Sequence, residues 1–189
     1  MSFKLKRARL AFPSIWRPTA VKGSDSGDKA FSCTLIIPRN HPQIAEIKKA
    51  MLAVAVEKWG AKANAIYKAA EAANKLALHD GDTKPEYEGF EGNLFISCRS
   101  KVKPSTYNRD RSEVIEADGI IYAGCWVNAS IEWWAQDNEF GKRVNAQIRG
   151  LQFVEDDDAF AGGARAAAAD EFDDEIGAPE EGGEPDLTA

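Results

Sequence analysis

At 189 residues, with 44% hydrophobic and 29% charged side chains, the chain is long enough for one well-buried domain and an appendage. No apolar run approaches the roughly 20 residues of a membrane span, and the basic start MSFKLKR lacks the apolar stretch of a secretory signal, so the expected location is the cytoplasm. The net charge of −6 argues against a polyanionic partner until its distribution is read: residues 155–189 hold thirteen acids and one base (−12), whereas residues 1–154 hold 23 bases and 17 acids (+6).

Residues 3–12, FKLKRARLAF, predict a first strand whose alternation slips at Arg7 and Ala8, the mark of a bulge or sharp bend. Prolines, glycines and serines predict a loop over residues 13–28. Trp16, beside Arg17 on that loop, is either a stacking residue or the plug of a barrel end. Residues 29–37 read as a second strand with Phe31, Cys33, Leu35 and Ile37 on one face. Pro38 ends it, and Asn40 or His41 is placed to cap a helix with Pro42 in its first turn. Apolar residues then recur at helical spacing from Ile44 to Trp59, Gly60 is a natural stop, and an alanine-rich helical segment follows over residues 61–78. This insertion, about 42–78, is expected to cover the sheet, with its lysines as a solvated face. Residues 79–92 read as a polar loop.

Residues 93–103 predict a third strand. Leu94, Ile96, Cys98 and Val102 line one side, and Phe95, Arg99, Lys101 and Lys103 line the other. The loop over residues 104–118 holds Tyr107, Arg109 and Arg111; it is placed either to close over a nucleic-acid strand or to remain a charged surface loop. Residues 119–154 read as a long hairpin. Its odd positions from Ile121 to Ala135 are apolar. Its even positions are polar but include Tyr122, Trp126 and Trp134, and the return strand turns Val144, Ala146 and Ile148 one way and Arg143, Asn145, Gln147 and Arg149 the other. From residue 155 the composition shifts to Asp, Glu, Ala, Gly and Pro, too poor in apolar side chains to offset the entropy of ordering, so this tail is expected to be disordered. Phe160 and Phe172, set among Asp156, Asp157, Asp158, Asp173, Asp174 and Glu175, resemble in their chemistry bases set among phosphates, and these residues are the expected partner-binding part of the tail.

Cys33, Cys98 and Cys125 each sit alone in a predicted strand and are expected to be reduced core thiols. With only His41 and His79 in the chain, neither a cofactor, a metal site nor a Cys–His nucleophile is expected.

Rings interleaved with cations on three predicted strands suit a nucleic acid. Lys and Arg neutralise phosphates whatever the sequence. Aromatic stacking adds about 1–3 kcal/mol per base and favours single strands, because a duplex hides its base faces. Small curved sheets of this kind are typically OB-type barrels. The expected fold is therefore mainly β with inserted α: a five-stranded OB-type barrel over residues 1–154, a helical insertion and an acidic tail over residues 155–189. Tyr122, Trp126, Trp134 and Trp16 are expected to stack bases and Arg99, Lys101, Lys103, Arg143 and Arg149 to hold phosphates. Phe95, Tyr107, Arg109, Arg111 and Asn145 are expected in the same interface.

Three segments, YAGCWVNASIEWWAQDN from Tyr122, GKRVNAQIRGLQFV from Gly141 and DDAFAGG from Asp157, resemble a phage family of single-stranded-DNA-binding proteins formerly known only as a domain of unknown function. SFKLKRARLAFPSIWRP and the second predicted strand fit that family's opening. The resemblance implies non-catalytic, sequence-independent binding of single-stranded DNA in phage replication, recombination and repair, in the cytoplasm of the infected host. In organisation it is similar to the OB-fold replication proteins of tailed phages, whose acidic tail covers the DNA groove until DNA displaces it and then recruits replisome proteins. Those tails commonly finish in an aromatic residue, whereas this one finishes PDLTA, and the helical insertion here follows the second predicted strand, not the third. Other readings stay open: an annealing or recombination mediator that also takes duplex DNA, or a scaffold whose aromatic face is a protein interface, such as that of a homodimer. A metal-dependent nuclease built on Asp156, Asp157 and Asp158 is disfavoured, because consecutive acids on a disordered tail do not converge on metals in fixed geometry.

Overall fold

The computed structural model describes residues 2–20 and 28–160; the expected tail residues Phe172, Asp173, Asp174 and Glu175 lie outside the described residues. In chain order the elements are β1 (Ser2–Ala20), β2 (Lys29–Pro38), the helices α1 (Ile44–Trp59) and α2 (Ala63–Ala72), the short β3 (Leu78–Asp80), β4 (Asn93–Ser100), the short β5 (Ser105–Tyr107), β6 (Trp126–Asn138) and β7 (Gly141–Glu155). β1 pairs with both β2 and β6, β2 with β4, and β6 with β7, all antiparallel. A parallel contact of β4 with β7, Cys98 against Ala146, closes the ring. This is a closed five-stranded OB-type barrel with the helices inserted between its second and third strands. β3 extends the sheet beside β4, and β5 extends it beside β7.

β1 is longer than its alternation implies. Its register slips between Leu5 and Ala8, where the sequence places a bulge, and again between Ala11 and Ser14. Arg7 (φ 50°) and Phe12 (φ 48°) hold the two irregularities. Each bulge restarts the alternation, so the strand bends from β6 onto β2 while still burying Leu5, Ala8, Leu10 and Ile15. Residues 13–20, expected as loop, are therefore strand: Thr19 pairs with Ala30 and Ala20 with Lys29. Pro13 falls within the second register shift and Pro18 within a third, between Ser14 and Thr19, where a missing N–H costs no ladder bond.

The core is filled by the inward faces of the barrel strands, Leu35, Ile37, Ile96, Ile131 and Ile148 among them, and α1 lays one stripe, Ile47, Met51 and Ala55, against it. Neither Asn40 nor His41 caps α1. The helix follows Gln43, and the buried His41 ring instead meets the Lys6 carbonyl through Nε2 at 2.9 Å. α2 stops at Ala72, short of the expected residue 78, because Asn74 takes φ 55° and Leu76 bridges to Val144 of β7.

β6 starts at Trp126, later than the expected residue 119. Gly124 (φ 109°) and a hydrogen bond from the Cys125 N–H to the Tyr122 carbonyl make a turn just ahead of it. From there the expected core face holds, with Val127, Ala129, Ile131 and Trp133 buried opposite Phe153, Leu151, Ile148 and Ala146. Cys33 and Cys98 face each other across β2 and β4 instead of lying apart. Contact with Cys33, together with burial, holds the Cys98 thiol well above its ordinary value, which keeps it protonated and inert.

Candidate nucleic-acid interface

A groove of about 760 Å³ runs over the outer faces of β2, β4 and the β6–β7 hairpin. The hairpin supplies Trp134, Arg143 and Asn145, β4 supplies Arg99, and Lys101 follows just past the end of β4. They meet because Trp134 pairs with Asn145 and Gln136 with Arg143, so alternate outward positions of two neighbouring strands point the same way. Among the described lining residues, Lys29, Lys75, Arg99, Lys101 and Arg143 are cationic and Asp28 is the one acid. Trp134 keeps 44% of its surface exposed, so a flat apolar face stands among guanidinium and ammonium groups. The groove can therefore neutralise a chain of phosphates while one base stacks on the indole.

His79 is a groove residue that the sequence did not single out. Its ring stacks on Phe95 with centroids 4.9 Å apart, and its Nδ1 lies 2.7 Å from Asn74 Oδ1. Burial, then Lys84 and Arg143, lower its pKa from the ordinary value. Gln147 lines the groove beside Arg143 and Asn145, on the face where the alternation puts it, and Ser32, Thr34 and Gln136 add polar groups that lone polar positions in a strand pattern do not announce.

A second groove of about 710 Å³ opens on the other side of Phe12. It is lined by aromatics and by Glu86, Glu88 and Glu116, with no Lys or Arg among its described lining. The two grooves are thus electrostatic opposites, and only the first suits a polyanion.

The remaining expected residues are placed elsewhere. Trp16 lies on β1, not a loop; it is half-buried beside the second groove, with Lys103 Nζ 5.6 Å from its ring. Arg149 pairs with Glu132 at 3.0 Å. Tyr107 is exposed on β5, and Arg109 lies over Phe153, 5.4 Å from its centroid. The Gln152 side chain donates to the Asn108 and Arg109 carbonyls, fastening the turn that ends in the exposed Arg111.

Two expectations of open aromatic rings are corrected. Phe95 is only 3% exposed because Phe90 and His79 pack over it, although it does sit on the outward face of β4. Tyr122 is 6% exposed, held in the turn before β6 with its hydroxyl between Asp156 Oδ1 (3.0 Å) and the Asp157 carbonyl (2.9 Å).

Those acids belong to a strap, residues 156–160, that crosses the barrel beyond β7. Trp126 lies under it: its indole N–H donates to Asp157 at 2.8 Å, and Arg7 stands 4.7 Å from the ring centroid while pairing with Glu155. Arg9 donates to the Gly124 and Asp158 carbonyls and packs 4.5 Å from the Phe160 centroid. The N–H groups of Asp158 and Trp126 hold the Asp157 carboxyl below its ordinary range. Phe160, expected to be a partner-facing tail residue, is instead buried among Ala11, Ile36, Phe90 and Phe95. Trp126 also lies eight residues from Trp134 along β6, roughly 26 Å at strand rise, and does not line the basic groove.

Comparison with known proteins is consistent with this geometry. A family model described as the ssDNA-binding protein of Enterobacter phage Enc34 matches residues 1–182. The protein p50 of Acyrthosiphon pisum secondary endosymbiont phage 1 is 42% identical over 184 residues, 96% of this chain and 97% of its own. The structure of the single-stranded DNA-binding protein from bacteriophage Enc34 in complex with ssDNA is 30% identical and superposes with a TM-score of 0.70, covering 85% of this chain and 89% of that one. Bacteriophage T7 gp2.5, a single-stranded DNA binding protein, shares the fold at 16% identity, with a TM-score of 0.59 over 92% of this chain and 98% of its own. The chain belongs to the Enc34 phage ssDNA-binding protein family.

Proposed function

We propose that this protein is a non-catalytic, sequence-independent single-stranded-DNA-binding protein of phage replication, recombination and repair, working in the cytoplasm of the infected host. The observation that supports it most is the basic groove in which Arg99, Lys101 and Arg143 surround the exposed face of Trp134. Cations along a backbone path and a ring for a base need no particular sequence and need the base to be unpaired. Relatedness to the Enc34 protein, which was solved with ssDNA, supports the same ligand. The acidic residues beyond the strap act as an internal polyanion that competes for the groove and is released to recruit replication or recombination proteins when DNA takes its place. Titration of the full chain with oligo-dT, followed by tryptophan fluorescence, tests this. Quenching that weakens with salt is expected, with duplex of equal length binding more weakly. Equal affinity for duplex would favour an annealing mediator, and no response to either nucleic acid would end the proposal.

A further inference from the structure

Phe12 combines two features that a phenylalanine ordinarily avoids. Its backbone sits at φ 48°, in the left-handed region that the Cβ of an L-residue disfavours, and the residue is 53% exposed while its neighbour Ala11 is buried. The bulge between Ala11 and Ser14 produces both, turning the side chain outward in mid-strand. Arg7, at the other bulge of β1 and also at positive φ, is likewise turned out. A glycine at position 12 would relieve the strain and expose nothing apolar, so strain held at an exposed ring calls for a use of the ring.

The ring is fixed in place. Tyr87 meets it edge-on with centroids 5.0 Å apart, and the fully buried Phe90 lies 5.9 Å away as a foundation. Phe12 lines the basic groove on one side and the second groove on the other. Lys84 stands 5.9 Å from the Tyr87 ring, a cation at the same corner. Beyond it the wall becomes Glu86, Glu88 and Glu116, which repel phosphate.

We propose that Phe12, braced by Tyr87, is a base-stacking platform at the end of the basic groove, where a bound DNA strand makes its last stacked contact before the acidic wall. The inference rests on the groove reading of the proposed function and extends it to a residue outside the hairpin. A base fits this corner better than other occupants: the cations are on the groove side, the open ring is continuous with that groove, and stacking asks nothing of base identity.

Full-length wild type, Phe12→Ala, Phe12→Gly and Trp134→Ala are titrated with oligo-dT long enough to span the groove, and each is melted without DNA. Both Phe12 variants are expected to lose about fivefold or more in affinity. Phe12→Gly is expected to keep or raise the melting temperature, because glycine accepts the positive φ; a purely structural ring would instead lower it and leave affinity alone. Unchanged affinity in both Phe12 variants, with Trp134→Ala weakened, overturns the platform and leaves the groove standing. No binding by the wild type, or no loss in any variant, overturns the groove reading and the platform with it.

Discussion

The indole N–H of Trp126 donates a 2.8 Å hydrogen bond to the carboxylate of Asp157, so the acidic run begins as part of the folded body. Phe160 completes the attachment. Its backbone N–H donates to the Ala123 carbonyl, and its ring fills the space left by Gly89, where an added Cβ would meet the ring at 2.7 Å. The electrostatic tail is therefore the segment after Phe160, and the strap before it is a structural element made of acids.

Two truncations separate these roles. Deleting residues 161–189 removes nine acids and one base and moves the net charge from −6 to +2. DNA affinity is expected to rise, most at low salt, with little change in melting temperature. Deleting residues 156–189 removes the Asp157 contact and the buried Phe160 as well. That should cost about 3–5 kcal/mol of stability, the usual range for losing a buried phenylalanine ring. Equal melting temperatures would mean that the strap does not hold the barrel.

The two outward tryptophans of β6 should behave differently. Trp134 is 44% exposed in the groove, so Trp134→Ala is expected to weaken oligo-dT binding by about 1–3 kcal/mol and leave stability nearly unchanged. Trp126 is covered by Arg7 and bonded to the strap, so Trp126→Ala should lower the melting temperature more than it lowers affinity. The opposite ranking in paired titrations and melts would relocate the stacking site to the strap end of the strand.

Much of this was legible in the sequence wherever one period runs unbroken. β6 alternates cleanly from Trp126 onward, so the core face and the positions of Trp134, Arg143 and Asn145 follow from counting by two. Counting fails where the period is interrupted. Gly124 and the turn at Tyr122 break the alternation just ahead of the strand, burying Tyr122 along with Ile121 and Cys125, and the bulges at Arg7 and Phe12 disguise β1 as a short strand plus a loop. Alternation also says which way a side chain points but not what lies over it. Phe95 points outward as expected, yet a segment read as polar loop supplies Phe90 and His79 to bury it. Phe160 was hidden by composition, one anchored ring at the start of a run of acids.

Salt dependence measures the cations directly. If the five Lys and Arg residues of the groove each neutralise a phosphate, the logarithm of affinity should fall against the logarithm of salt with a slope of about −3.5. Arg99→Ala or Arg143→Ala should each flatten that slope by about 0.7, whereas Arg149→Ala, which loses only an exposed pair with Glu132, should leave it near the wild-type value. A slope that Arg149 changes as much as Arg99 would shift the backbone path out of the groove.

Proton uptake is the final expected signature of a phosphate in this groove. Burial, Lys84 and Arg143 hold the His79 pKa below its ordinary 6.5, so the free protein carries a neutral ring at neutral pH. A bound phosphate partly cancels the two cations and favours the imidazolium, raising that pKa. Binding should then take up protons and tighten as pH falls from about 7.5 to about 5.5. Stability without DNA runs the other way. The unfolded chain protonates near 6.5 before the folded one does, so the His79 contribution is constant above that pH and declines as pH falls through it. Affinity and melting temperature of wild type and His79→Gln across that range, at fixed ionic strength, check both signs. His79→Gln should flatten both profiles. Parallel affinity profiles for the two proteins would put the phosphates beyond reach of His79 and of the two cations, Lys84 and Arg143, that act on it.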